Sequence, residues 1–145
     1  MSDSTTIRLD LRLGYDHGSG ALSDYFRALA EGRALAGRCG ICGRTWFPPH
    51  ARCPEDGGTC KPVNLDGHGV VVSETRTRTR LPFTDQDREV TFVLVAMAGA
   101  DNAAFGRLKN FSGTNATGER VQLVAVAGPL GHPAQAAVFQ PVEDG

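Results

Sequence analysis

Hydrophobic and polar positions alternate with different periods along this chain, and each change of period marks an element. Ile7-Arg8-Leu9-Asp10-Leu11-Arg12-Leu13 alternates strictly, which predicts a short strand suited to joining another sheet. From Ser23 the period lengthens, and Leu22, Tyr25, Phe26 and Leu29 fall on one helical stripe. Ser23 is the expected N-cap and Gly32 the expected stop. Past Asp66-Gly67 the pattern becomes that of strands. Val70-Val71-Val72 leads into Ser73 to Arg80, and Pro82 breaks the run. Val90 to Met97 is β-branched and mostly apolar, and Gly99-Ala100-Asp101-Asn102 reads as a turn before Ala103 to Leu108. Val121 to Ala127 and Ala136 to Val142 bring the predicted strands to five. Five short strands with glycine-rich connections predict a small barrel of the OB type.

Between the helix and these strands, cysteine spacing replaces hydrophobic period as the signal. Cys39-x2-Cys42 sits in Arg-Cys-Gly-Ile-Cys-Gly, and Cys53-Pro54 follows ten residues later, with Cys60 beyond it. Two thiolates three residues apart, each followed closely by glycine, can grip one tetrahedral Zn2+. The position matching Cys42 in a second knuckle carries Asp56. We therefore expect a structural zinc on Cys39, Cys42, Cys53 and Cys60, with Asp56 as the alternative fourth ligand. Thiolate suits a closed zinc site better, whereas Asp56 has the better spacing. A redox dithiol would want a thioredoxin-like βαβ context, and the predicted elements do not alternate in that way. The expected organisation is an N-terminal segment and helix (1–33), a rubredoxin-like zinc ribbon (34–65) and an OB-fold domain (66–145), mainly β in class.

Charge narrows the function. The 145 residues hold 15 Lys+Arg against 16 Asp+Glu, for a net charge of -1, whereas a nucleic-acid binder shows a basic excess. Reduced, metal-bound thiols and the lack of a signal-peptide pattern lead us to expect a cytoplasmic protein, and no stretch has the length of a membrane span. The concentrated basic feature is Thr75-Arg76-Thr77-Arg78-Thr79-Arg80, which on a strand puts Arg76, Arg78 and Arg80 on one face. Guanidinium groups there could receive phosphate or a partner's carboxylates, or form a charged edge that blocks aggregation. Arg107 and Lys109 form a weaker cluster. Trp46-Phe47-Pro48-Pro49 reads first as packing of the ribbon onto its neighbours. No nucleophile elbow, zinc-protease helix or phosphate-binding loop is found in the sequence.

The order of these features resembles a known family. A helix with Asp24-Tyr25-Phe26-Arg27-Ala28-Leu29 and Gly32 is followed by Cys39-Gly40-Ile41-Cys42-Gly43-Arg44-Thr45-Trp46-Phe47-Pro48-Pro49-His50, then Cys53-Pro54, then Gly67-x-Gly69. Over residues 20–142 this is similar to the zinc-ribbon OB-fold proteins catalogued as DUF35. The resemblance implies a non-catalytic accessory subunit in a hetero-oligomer with a thiolase-like enzyme: a thiolase, acyltransferase or aldolase acting on an acyl-CoA. It further implies that the catalytic residues belong to the partner, and that this chain scaffolds the complex and contacts the coenzyme A thioester. Two other classes remain open: a single-stranded nucleic-acid module, and a free-standing acyl-CoA-binding protein.

Overall fold

The computed structural model describes residues 5–16, 18, 20–82, 84–126 and 137–143. The ends of two predicted strands, at Ala127 and Ala136, lie outside these residues, as do His17 and His132. Residues 6–16 form no regular element. The strand expected at Ile7 to Leu13 therefore does not form: alternation prepares a segment for a ladder, and no described residue supplies the partner edge. Ile7, Leu9, Leu11, Leu13 and Tyr15 are consequently 77–83% exposed.

Helix α1 (Ser23–Ala30) buries Tyr25, Ala28 and Leu29. Ser23 is its first residue rather than its cap. A 3-10 turn, Gly20–Leu22, runs directly into the helix, so the Ser23 hydroxyl donates backwards to the Gly20 carbonyl at 2.8 Å. The C-terminus ends as expected. Gly32 adopts φ +73°, its N–H bonds the Leu29 carbonyl at 3.0 Å, and the Arg33 N–H bonds the Ala28 carbonyl at 2.8 Å. This is the Schellman pairing. Glycine is required there twice over, because a Cβ would also lie 3.0 Å from the Ala125 nitrogen.

Three antiparallel strands follow: β1 (Ala34–Cys39), β2 (Thr45–Trp46) and β3 (Cys60–Leu65), in the order β2-β1-β3. The chain then builds a closed barrel from β4 (His68–Thr79), β5 (Arg88–Met97), β6 (Ala103–Leu108), β7 (Arg120–Val124) and β8 (Val138–Pro141). Its order is β4-β5-β6-β8-β7, closed by antiparallel pairing of β7 with β4 and containing a parallel β6–β8 contact. This is the connectivity of an OB-type barrel, and closure leaves it no free edge. Val71, Val93, Val95, Val121, Leu123 and Phe139 fill the interior. Gly106 makes room for the Phe139 ring, since a Cβ there would sit 2.6 Å from Cε2.

Ribbon and barrel share one core. Phe47 is fully buried and meets Tyr25 edge-on, with ring centroids 5.7 Å apart, in the same cluster as Val95 and Leu123. The turn after β5 also covers the outer edge of β2, mainly through side chains. Thr45 N–H donates to Asp101 Oδ2 at 2.8 Å, and Asp101 N–H returns a bond to the Thr45 carbonyl at 2.8 Å. Phe47 N–H donates to Asn102 Oδ1 at 3.0 Å, while Asn102 Nδ2 donates to the Phe47 carbonyl at 2.8 Å. The residues predicted as a simple turn thus clamp the two sheets together. No helix among the described residues is long and apolar enough to cross a membrane.

Candidate metal centre

Two loops of the ribbon have the same build. In the first, between β1 and β2, Gly43 takes φ +74° and its N–H bonds the Cys39 carbonyl at 3.1 Å. In the second, Gly57 takes φ +73° and its N–H bonds the Cys53 carbonyl at 2.9 Å. Cys39-x2-Cys42-Gly43 and Cys53-x2-Asp56-Gly57 are therefore matching knuckles, and Asp56 stands where Cys42 stands in the first. Their donor atoms converge: the Cys39, Cys42 and Cys53 sulfurs and an Asp56 oxygen all lie within 4.8 Å of one another.

The spacing fits one tetrahedral ion. With about 2.3 Å from zinc to sulfur and about 2.0 Å to oxygen, the edges should be about 3.8 Å for S···S and about 3.5 Å for S···O. Cys42 and Cys53 sulfurs are 3.7 Å apart, and Cys39 Sγ lies 3.3 and 3.6 Å from the two Asp56 oxygens. Backbone groups prepare the donors for negative charge. Ile41 N–H points at Cys39 Sγ (3.3 Å) and Gly58 N–H at Asp56 Oδ1 (2.8 Å). Gly58 is also a steric requirement, because a Cβ there would approach Cys39 Sγ to 2.8 Å and Asp56 Oδ1 to 2.9 Å.

Three of the four groups have their proton affinities shifted by these surroundings. The Gly58 N–H holds the Asp56 carboxyl below its usual range. The Arg44 N–H works to lower the Cys42 thiol, but desolvation, Asp56 and the neighbouring thiols outweigh it and push Cys42 up to about 12. Cys53 is shifted the other way. Burial opposes its thiolate, yet the N–H groups of Glu55 and Asp56, together with the Trp46 indole, lower it. Trp46 Nε1 is buried without a hydrogen-bond partner of ordinary geometry, so the Cys53 sulfur is the acceptor available to it. A thiolate held by a metal would give that N–H a permanent acceptor. Three sulfurs and one carboxylate can thus hold a metal ion, and the chemistry of the set is that of Zn2+. All four positions are protein donors, so a tetrahedral ion held by them would keep no open coordination position.

Cys60 is not in this set. It faces Cys39 across the β1–β3 ladder, and its thiol is 3.9 Å from the Gly58 carbonyl. Burial raises its pKa, with the charges of Cys39, Cys53 and Asp56 adding to the effect. Knuckle spacing was the sequence signal that distinguished Asp56 from it.

Arg76 and Arg78 of β4, with Arg80 just past its end, are distributed differently from a free cationic face. A bulge at Val72 shifts the β4–β5 register. Arg76 reaches Glu74 at 3.5 Å, donates to the Gly113 carbonyl at 2.7 Å and lies 5.6 Å from the Phe111 ring centroid. Arg80 pairs with Asp87 at 3.6 Å. Arg78 stands opposite Glu89 in the ladder, and no ion pair of it is found among the described residues.

Superposition on solved structures shows what this arrangement is similar to. A chain described as "Ltp2-ChsH2(DUF35) aldolase" matches with a TM-score of 0.64 and 20% identity, over 88% of this chain and 98% of that one. A DUF35-family protein of unknown function from Sulfolobus solfataricus matches with a TM-score of 0.61 and 14% identity, over 88% and 90%. The fold is that of the DUF35 proteins. Coverage of this extent takes in ribbon and barrel together, so the DUF35 likeness concerns their joint arrangement and not the barrel alone. No protein-family model and no curated protein matches the sequence.

Proposed function

We propose that this chain is a non-catalytic accessory subunit that docks on a thiolase-fold enzyme acting on an acyl-CoA, in the cytoplasm. The observation that carries the reading is the correspondence with 98% of the DUF35 chain of an aldolase. A second observation supports it: five large apolar side chains between Ile7 and Tyr15 are exposed, and no described residue of the chain covers them. An exposed apolar patch of this kind marks an interaction site. In this reading the ribbon (34–65) is locked by Zn2+ on Cys39, Cys42, Cys53 and Asp56, and with the OB-fold domain (66–145) forms the rigid body that docks. Arg76 and Arg80 already have carboxylates of their own, so we assign contact with the CoA thioester's phosphates, or with acidic groups of the partner, to Arg78.

The nucleic-acid alternative draws on Phe92 and Phe105, stacked with centroids 5.3 Å apart on β5 and β6. These are the second and third barrel strands, the face OB folds use for oligonucleotides. The net charge of -1 weighs against it. Native mass spectrometry on tagged chain recovered from its own host cells tests the reading. A complex with an acyl-CoA enzyme is the expected result; a lone monomer, or one carrying nucleic acid, overturns it.

A further inference from the structure

A cavity of about 440 Å³ opens beside β5 and β6, away from the metal centre. This is the size range of small-molecule sites, roughly 300–1,000 Å³. Its charged lining is Arg88, Arg107 and Lys109 against Glu89, three cations less one anion, for a local charge of +2. Arg107 is the unusual member. Ala104, Gly106 and Leu108 alternate into the core, which turns Arg107 to the outer face of β6, between Phe92 of β5 and Val138 of β8 in the ladders. There its Nε is buried and makes no hydrogen bond among the described residues. Burial, and to a smaller extent the charge of Arg88, disfavour its cationic form. A half-buried guanidinium with an unsatisfied Nε favours an anion beside it, since buried polar groups are normally paired.

We infer that this cavity binds a phosphate monoester of a small molecule, with Arg107 forking onto the phosphate oxygens and Arg88 and Lys109 completing the charge. A monoester carries about -1.5 to -2 at neutral pH, which matches the local charge; a carboxylate or a nucleic-acid phosphodiester carries half as much. Phe111, Ala125 and Val126, which keep surface toward the cavity, give it an apolar edge, so the esterified group is apolar or aromatic. The inference concerns a different face from the docking arm and does not rest on the accessory-subunit reading.

The test uses full-length, zinc-loaded chain titrated with phenyl phosphate, with benzoate and a thymidine oligonucleotide as comparators, followed by calorimetry and thermal unfolding. Phenyl phosphate should bind saturably and at least about tenfold more tightly than benzoate, as expected when a charge-assisted bidentate pair is lost. Arg107→Gln should weaken it by about tenfold or more while melting no lower than the parent chain, because it removes a half-buried cation whose Nε lacks a partner. Lys109→Gln, at an exposed position, should weaken it without altering the fold. Absent or non-saturable binding in the parent chain, unchanged affinity in both variants, or tighter binding of the oligonucleotide would each overturn the inference.

Discussion

Asp56 Oδ1 lies 3.3 Å from Cys39 Sγ, across the gap between two loops that also meet through Cys42 and Cys53 and through the Arg44–Glu55 ion pair. That distance fits an edge of a coordination tetrahedron, so Asp56 is placed to hold a metal ion together with the three cysteines. Asp56→Ala should therefore cost more zinc affinity than the roughly 10–100-fold typical of a change outside the ligand set. Cys60→Ser should leave zinc content at the parental level. Cys39→Ser and Cys42→Ser should unfold the ribbon, because in so small a unit metal binding supplies the folding free energy. Zinc analysis on purified variants decides: metal retained by Asp56→Ala and lost from Cys60→Ser would reverse the assignment.

The clamp between the sheets is the next place where one side chain bears much of the load. Asn102 satisfies both the N–H and the carbonyl of Phe47, whose ring is wholly buried. Asn102→Ala strands both groups, and each unsatisfied buried group costs about 1–3 kcal/mol. Urea unfolding should show a loss of that order, with zinc still bound. A loss under about 0.5 kcal/mol, the usual effect of a surface change, would mean that water replaces the clamp without penalty.

Much of this architecture can be read from local pattern, and what escapes has a common cause. Val90 to Met97 and Ala103 to Leu108 announce β5 and β6 because their alternation is set by the core they face. Ligand chemistry favours Cys60 as the fourth donor and loop geometry favours Asp56; the repeated glycine at positive φ brings Asp56, not Cys60, to the three sulfurs. Arg76 looked available because Gly113 and Phe111, which engage it, lie far away in sequence. Ile7 to Leu13 has the period of a strand and no ladder, since pairing is a relation between two segments and only one of them is described here.

Tyr25 gives the chain a specific alkaline weakness. Its side chain is buried between helix and ribbon, and burial raises the phenol well above its ordinary value. In the unfolded chain the phenol ionises near pH ~10. A raised folded-state pKa means that the folded form binds more protons between the two values. The contribution is thus intact below pH ~10 and is lost as pH rises beyond it, with a limiting slope of about 1.4 kcal/mol per pH unit. Tyr25→Phe should lose stability less steeply than the parent chain between two alkaline pH values in urea titrations. Parallel decline of the two proteins would show that Tyr25 does not contribute.

The apolar arm carries the sharpest test of the docking role. Leu9 and Leu11 contribute nothing to the chain's own core, so replacing both with serine should shift its stability by no more than about 0.5 kcal/mol. If a partner sheet covers the arm, each leucine contributes about 1.5–3 kcal/mol on burial, and the pair roughly 3–6 kcal/mol. Docking should then weaken by at least about a hundredfold. Pull-down of the enzyme partner with parent and Leu9→Ser/Leu11→Ser chains, beside their melting curves, separates the possibilities. A stable variant that no longer recovers the partner places the arm at the interface. Equal recovery would remove the arm from the docking surface, and a lowered melting temperature would show that it packs on its own chain.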